Sequence, residues 1–172
     1  MIYSPKAIAN YFLELAAAQG EAISPMKLQK LVYYAHGWYA GHTGQPLINE
    51  AVEAWPYGPV IPSLYHEFKR YGSAPIRSKA TDFDTVNFEF SEVQPPADES
   101  LKKFLANVWV SYGRFTPIAL STMTHAEGSP WDQTWKSAQG VKGADIPFEL
   151  ITEHFRACLL YTSDAADEED SV

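Results

Sequence analysis

Five histidines, two close carboxylate pairs and a lysine–tyrosine stretch are the residues of this chain whose types could do chemistry. A helical zinc pair needs two imidazoles at i and i+4, so that both point at one ion. His36 and His42 are six apart and face different ways on a helix. His66 beside Glu67 reads as a surface pair. His125 precedes Ala126 and Glu127 near a predicted helix end, where an imidazolium suits the dipole. A single cysteine, Cys158, excludes an intramolecular disulfide and any cysteine-based zinc site. The five histidines therefore read as structural, and the sequence assigns no metal ligand, no cofactor and no catalytic residue.

Asp82 with Asp84, and Glu127 with Asp132, could divide acid and base roles. Such pairs are also common on solvated loops, and that is the reading given to both. No Gly-x-Ser-x-Gly, Gly-x-Gly-x-x-Gly or phosphate loop occurs, so acyl transfer and nucleotide chemistry lack their usual markers. Lys27, Lys30, Lys69 and Arg70 with Tyr33 and Tyr34 could combine charge and stacking for nucleic acid. Lys27 and Lys30 also fit the polar face of an amphipathic helix, and the formal net charge of −8 opposes phosphate binding. Nucleic acid is not the expected partner.

The elements that hold these residues are legible because Ser/Thr-Pro pairs recur. A hydroxyl N-cap followed by Pro at the first helical position marks a helix start. Ser4-Pro5, Ser24-Pro25, Thr116-Pro117 and Ser129-Pro130 each do so, and Pro62 and Pro147 start two more. Asp98 or Ser100 caps a further helix, in which Leu101, Phe104, Leu105, Val108, Trp109 and Tyr112 repeat at helical spacing. In the second helix Leu28, Leu31, Val32, Ala35 and Tyr39 form the core stripe, with Gly41 and Gly44 as its stop. Short strands are predicted near 47–55 and 85–90, with Pro56-Tyr-Gly-Pro59 as a rigid bend. The expected fold is mainly α: a single compact helical domain of about six or seven helices with a small β element.

A chain of 172 residues suits one domain. No run of about 18 apolar residues is present and no signal peptide is evident, so a cytoplasmic location without membrane contact is expected. The charge is uneven. Residues 158–172 hold five acids and no base, leaving 13 basic against 16 acidic residues in the rest. The eleven residues from Cys158 to Glu168 resemble a translated library-preparation adapter, back-translating without a gap to its transposon end and primer site. The expectation is a domain over 1–157, followed at 158–172 by a tail that is not native.

The stretch Ser24-Pro-Met-Lys-Leu-Gln-Lys-Leu-Val-Tyr-Tyr-Ala-His-Gly-Trp38 is followed by Pro46-Leu47, Glu53-Ala-Trp-Pro-Tyr-Gly-Pro-Val60 and Leu64-Tyr65. Thr124-His125, Ser129-Pro-Trp131, Ile146-Pro147 and His154-Phe155 come later in the same order. Together these residues resemble the SocA-like Panacea domain, from about Ile8 to Ala157. The resemblance implies a prokaryotic or phage antitoxin, encoded beside a toxin and neutralising it by direct protein contact, with no catalytic residues. It does not identify the toxin or the oligomeric state. An adaptor that delivers the toxin to a cellular protease is the alternative, and an uncharacterised enzyme or nucleic-acid-binding protein a more distant one.

The aromatic residues of these motifs are the partner-binding candidates. Tyr33, Tyr34 and Trp38 leave the main stripe of their helix at least partly, and some of them are expected to flank a groove. Trp55 and Tyr57, held on a Pro-Gly-Pro bend, suit interface anchors, because aromatics bury large areas at small entropic cost. The same bend could instead brace the strand against the second helix, and both readings stand. Tyr65 belongs to the same candidate surface.

Overall fold

The computed structural model describes the backbone of residues 1–170 and the side chains of residues 1–160. Seven α-helices are present among the described residues. They are α1 (Pro5–Ala18), α2 (Pro25–Thr43), α3 (Pro62–Phe68), α4 (Glu99–Tyr112), α5 (Pro117–Thr124), α6 (Pro130–Ser137) and α7 (Phe148–Asp170), with a 3-10 turn at Lys69–Tyr71 after α3. The predicted starts hold. Ser4, Asp98, Thr116 and Ser129 each accept a backbone N–H of their own first turn, the capping geometry that satisfies an otherwise orphaned donor. The expectation for residues 158–172 lies largely outside the residues whose side chains are described. No helix among the described residues is long and apolar enough to cross a membrane.

Helix α2 is the axis of the molecule. It packs on α7, α5, α4, α1 and α3, and for most of its length it is buried all round rather than along one stripe. Its closest neighbour is α7. A Cβ on Gly37 would sit 2.1 Å from Phe155 Cε2, and one on Gly41 would sit 3.0 Å from the Phe155 backbone. Gly41 is thus a packing surface inside the helix, not its stop, and Gly44 alone caps α2 in the left-handed region at φ 73°. The amphipathic reading also fails at Lys30, which is buried.

The β element is larger than expected and differently placed. Strands β1 (Glu53–Trp55) and β2 (Gly58–Val60) form a hairpin in which Trp55 pairs with Gly58, and β5 (Ala144–Asp145) adds to the other side of β1. Residues 47–52 are not strand; Ile48 makes only an isolated bridge to Tyr3. Pro59 sits in an edge strand, the sheet position that tolerates a missing donor. A second hairpin joins β3 (Thr81–Asp84) to β4 (Glu89–Glu92). The strand expected at 85–90 is mostly the turn of this hairpin. Asp84 Oδ1 accepts the Val86 and Asn87 amides at 2.8 and 3.2 Å, and Phe88 takes φ 52°, so local side-chain bonding overrides the alternation.

Candidate partner-binding face

Two prolines remove donors from the first hairpin, and its carbonyls are captured by side chains from three surrounding helices. Trp55 O accepts from Trp131 Nε1 of α6 at 2.6 Å, and Tyr57 O from Ser121 Oγ of α5 at 2.6 Å. Pro59 O accepts from Lys30 Nζ of α2 at 2.9 Å. Ile61 then exchanges two bonds with the Gln29 amide, donating its N–H at 2.9 Å and accepting at 3.0 Å. Every second carbonyl from 55 to 61 is therefore tied to a different side chain, which fixes the hairpin as a rigid ledge. Gly58 is required where the ledge crosses α2. It takes φ 120°, and a Cβ there would lie 2.9 Å from Lys30 Nζ and 3.1 Å from Thr124 Oγ1.

The side chains on this ledge divide by role. Tyr57, at the turn, is 73% exposed, and it is held through its backbone rather than its ring. Trp55 is half-buried and braced: its Nε1 donates to Glu53 Oε1 at 3.0 Å, Tyr65 meets it edge-on at 4.7 Å, and Lys142 Nζ lies 3.9 Å over its ring. Trp55, Tyr57 and Tyr65, three of the six predicted residues, line one cavity of about 440 Å³. Pro25, Gln29 and Lys30 of α2, Leu64 of α3, Lys69 and Lys142 complete much of its wall.

The other three predicted residues lie elsewhere, which corrects the expectation that they share a groove with the hairpin. Tyr33 and Tyr34 are 2% and 8% exposed, and both meet Phe155 of α7 edge-on at about 6 Å. Tyr34 also stacks on Tyr112 at 4.0 Å. Burial raises both phenol pKa values, so these rings stay neutral in the core. Trp38 is half-buried against Phe155 and donates to Tyr112 Oη at 2.7 Å, facing a separate shallow groove with His42 and Phe104. For Tyr33 and Tyr34, leaving the main stripe did not mean reaching the surface, because α2 is packed on all sides there, whereas Trp38 does flank a groove.

The histidines are dispersed. His36 is buried, its Nδ1 accepting the Leu47 amide at 3.3 Å, and burial holds its pKa down to about 4. His125 packs on Trp131, and His154 on Phe155. Glu67, paired by sequence with His66, instead meets Lys6 at 3.5 Å and accepts the Thr81 amide.

Two features escaped sequence reasoning. Lys30 carries no sequence mark of burial, since its i, i+3 spacing from Lys27 is that of a solvated face. The β3–β4 hairpin carries Phe83, Phe88 and Phe90 as an exposed aromatic cluster, with Phe83 and Phe90 paired across the strands at 5.1 Å. The alternation of Phe88 and Phe90 with the polar Asn87, Glu89 and Ser91 is the available signal, since it puts both rings on one face.

The sequence profile of the family described as antitoxin SocA-like, Panacea domain, matches residues 28–132, from the first turn of α2 into α6. That span holds the whole first hairpin. Among curated proteins, the chain is similar to Antitoxin SocA of Caulobacter vibrioides (strain NA1000 / CB15N), with 38% identity over 127 residues, or 74% of this chain and 68% of that protein. No solved structure matches the chain significantly.

Proposed function

The chain belongs to the antitoxin SocA-like, Panacea domain family, and from that premise we propose that it is an antitoxin, neutralising a cognate toxin by direct binding through the ledge bearing Trp55 and Tyr57. The observation that carries this choice of surface is the contrast in how Tyr57 is held. Its backbone is bonded into the fold, while its side chain stands 73% exposed beside an open cavity. A large apolar side chain on a rigid support loses little conformational freedom on binding, which is what an interface anchor requires. Tyr65 extends the same face, and Trp55 sets its floor. The role is non-catalytic: the toxin is occluded rather than modified.

Co-expression with the candidate cognate toxin tests the reading. Growth rescue accompanied by co-purification of the two proteins supports occlusion. Rescue without a complex contradicts it, and rescue that disappears in protease-deficient cells assigns the chain to toxin delivery instead.

A further inference from the structure

Lys30 is 2% exposed, yet among the described residues its ammonium has a single hydrogen bond, to Pro59 O at 2.9 Å. An ammonium carries three donors, and burying one without a counter-charge is costly. No carboxylate forms an ion pair with Lys30 among the described residues. Nζ lies at the Pro59 carbonyl, close to Gly58 of the hairpin and on the side of Thr124 of α5, and Lys30 also lines the cavity that holds Tyr57, Tyr65, Lys69 and Lys142. The one acid among them is Glu53 of the hairpin, whose Oε1 accepts from Trp55 Nε1 and which forms no ion pair with Lys30. Burial alone holds the Lys30 pKa down to about 7.

Lys69 and Lys142 are exposed at the same cavity, and neither forms an ion pair among the described residues. In a chain of net charge −8, a cavity with three lysines and no acid in its lining is a local reversal of sign. Its remaining walls are Trp55, Tyr57, Tyr65, Gln29, whose amide is taken up by Ile61, and aliphatic groups. The volume of about 440 Å³ is within the range of specific ligand pockets and holds two or three side chains.

We propose that this cavity is a carboxylate-recognition site for an acidic segment of the partner protein: one carboxylate meets Lys30, and an adjacent large apolar side chain lies against Trp55 and Tyr65. The assignment rests on the antitoxin reading and deepens it, by giving the chemistry of what the toxin inserts. Charge complementarity selects the occupant, because a neutral apolar segment would leave the Lys30 ammonium without its missing partner, and a basic one would be repelled by all three lysines. The carboxylate recharges Lys30, so binding takes up a proton near neutrality and weakens as pH rises above about 7.

The probe is a bead-bound library of randomised seven-residue peptides, half ending in a free carboxylate and half in an amide, offered to the full chain. Retained peptides are expected to be enriched in Asp or Glu next to Phe, Tyr, Trp or Leu; enrichment confined to the free-carboxylate half would assign the site to a chain terminus instead of a side chain. The best acidic peptide should lose at least tenfold in affinity when its acid is changed to the amide. It should lose as much when it meets Lys30→Met. The rim variant Lys69→Glu/Lys142→Glu, altered only at exposed positions, should show the same direction of change even if Lys30→Met fails to fold. No retention, retention without acidic enrichment, or affinity unchanged in the rim variant overturns the proposal. Growth rescue by the wild-type chain is scored separately. Rescue without acidic selection sinks the pocket and leaves the antitoxin reading intact, and acidic selection without rescue does the reverse.

Discussion

Tyr34 and Tyr57 are the same residue type held in opposite ways, and their substitution should separate fold from function. Tyr34 is stacked on Tyr112 and packed on Phe155, so Tyr34→Ala opens a cavity in the α2–α7 seam and should cost about 3–5 kcal/mol in a denaturation experiment. Tyr57→Ala removes an exposed ring and should change stability by less than about 0.5 kcal/mol. The two buried basic groups give a pH signature. His36 falls to about 4 from its ordinary 6.5, so between those values the unfolded chain binds a proton that the folded chain refuses. Its contribution to stability is complete above 6.5 and is lost as pH falls toward 4. Lys30 falls to about 7 from 10.5, so its contribution rises with pH across that interval and is smallest below 7. Thermal melts should therefore show Lys30→Met gaining on wild type as pH is lowered from 10 toward 7; a constant difference across that range would mean that Lys30 is not desolvated. The face of Lys30 was illegible in sequence, because burial on a helix packed all round depends on where the surrounding helices and the hairpin dock.

Helix α2 and the first hairpin are the elements on which the account depends. Gly37 lies where α7 approaches, and its absent Cβ is the space that Phe155 Cε2 occupies. Gly37→Ala should destabilise by about 1–3 kcal/mol through overpacking, and Phe155→Leu in the same chain should recover part of that loss. A double-variant loss equal to the sum of the two single-variant losses, measured by urea denaturation, would show that the two residues do not meet. Helix α7 contributes Ile151 and Phe155 to the core, both before Ala157. A chain ended at Ala157 is expected to melt at the same temperature as the full chain, and a large fall would make the tail part of the fold. The helix starts were legible because Ser-Pro and Thr-Pro act locally, through a preset φ at each and a side-chain cap at Ser4, Thr116 and Ser129, though not at Ser24. The β3–β4 turn was not, because the Asp84 side chain outcompetes the alternation of Phe88 and Phe90 over the same few residues. The capture of carbonyls 55, 57, 59 and 61 by residues as distant as Trp131 is a tertiary pattern that no local motif announces.

At the scale of the whole molecule, a hydrophobic seam between α2 and α7 supports a rigid aromatic ledge, and a cationic cavity opens beside it in an otherwise acidic chain. The family-like motifs that drew attention in sequence are thus split by the fold. Their helical half, with Tyr33 and Tyr34, builds the seam, and their hairpin half presents Tyr57. Antitoxin function by occlusion requires that the exposed half meets the partner while the buried half only supports it. Calorimetric titration of a cognate toxin into wild type, and into Tyr57→Ala, tests that division most directly. The account predicts a stable wild-type complex and a loss of about 2 kcal/mol or more in Tyr57→Ala, roughly a thirtyfold weakening, with the fold unchanged. Full affinity in Tyr57→Ala, with its melting temperature also unchanged, would contradict it.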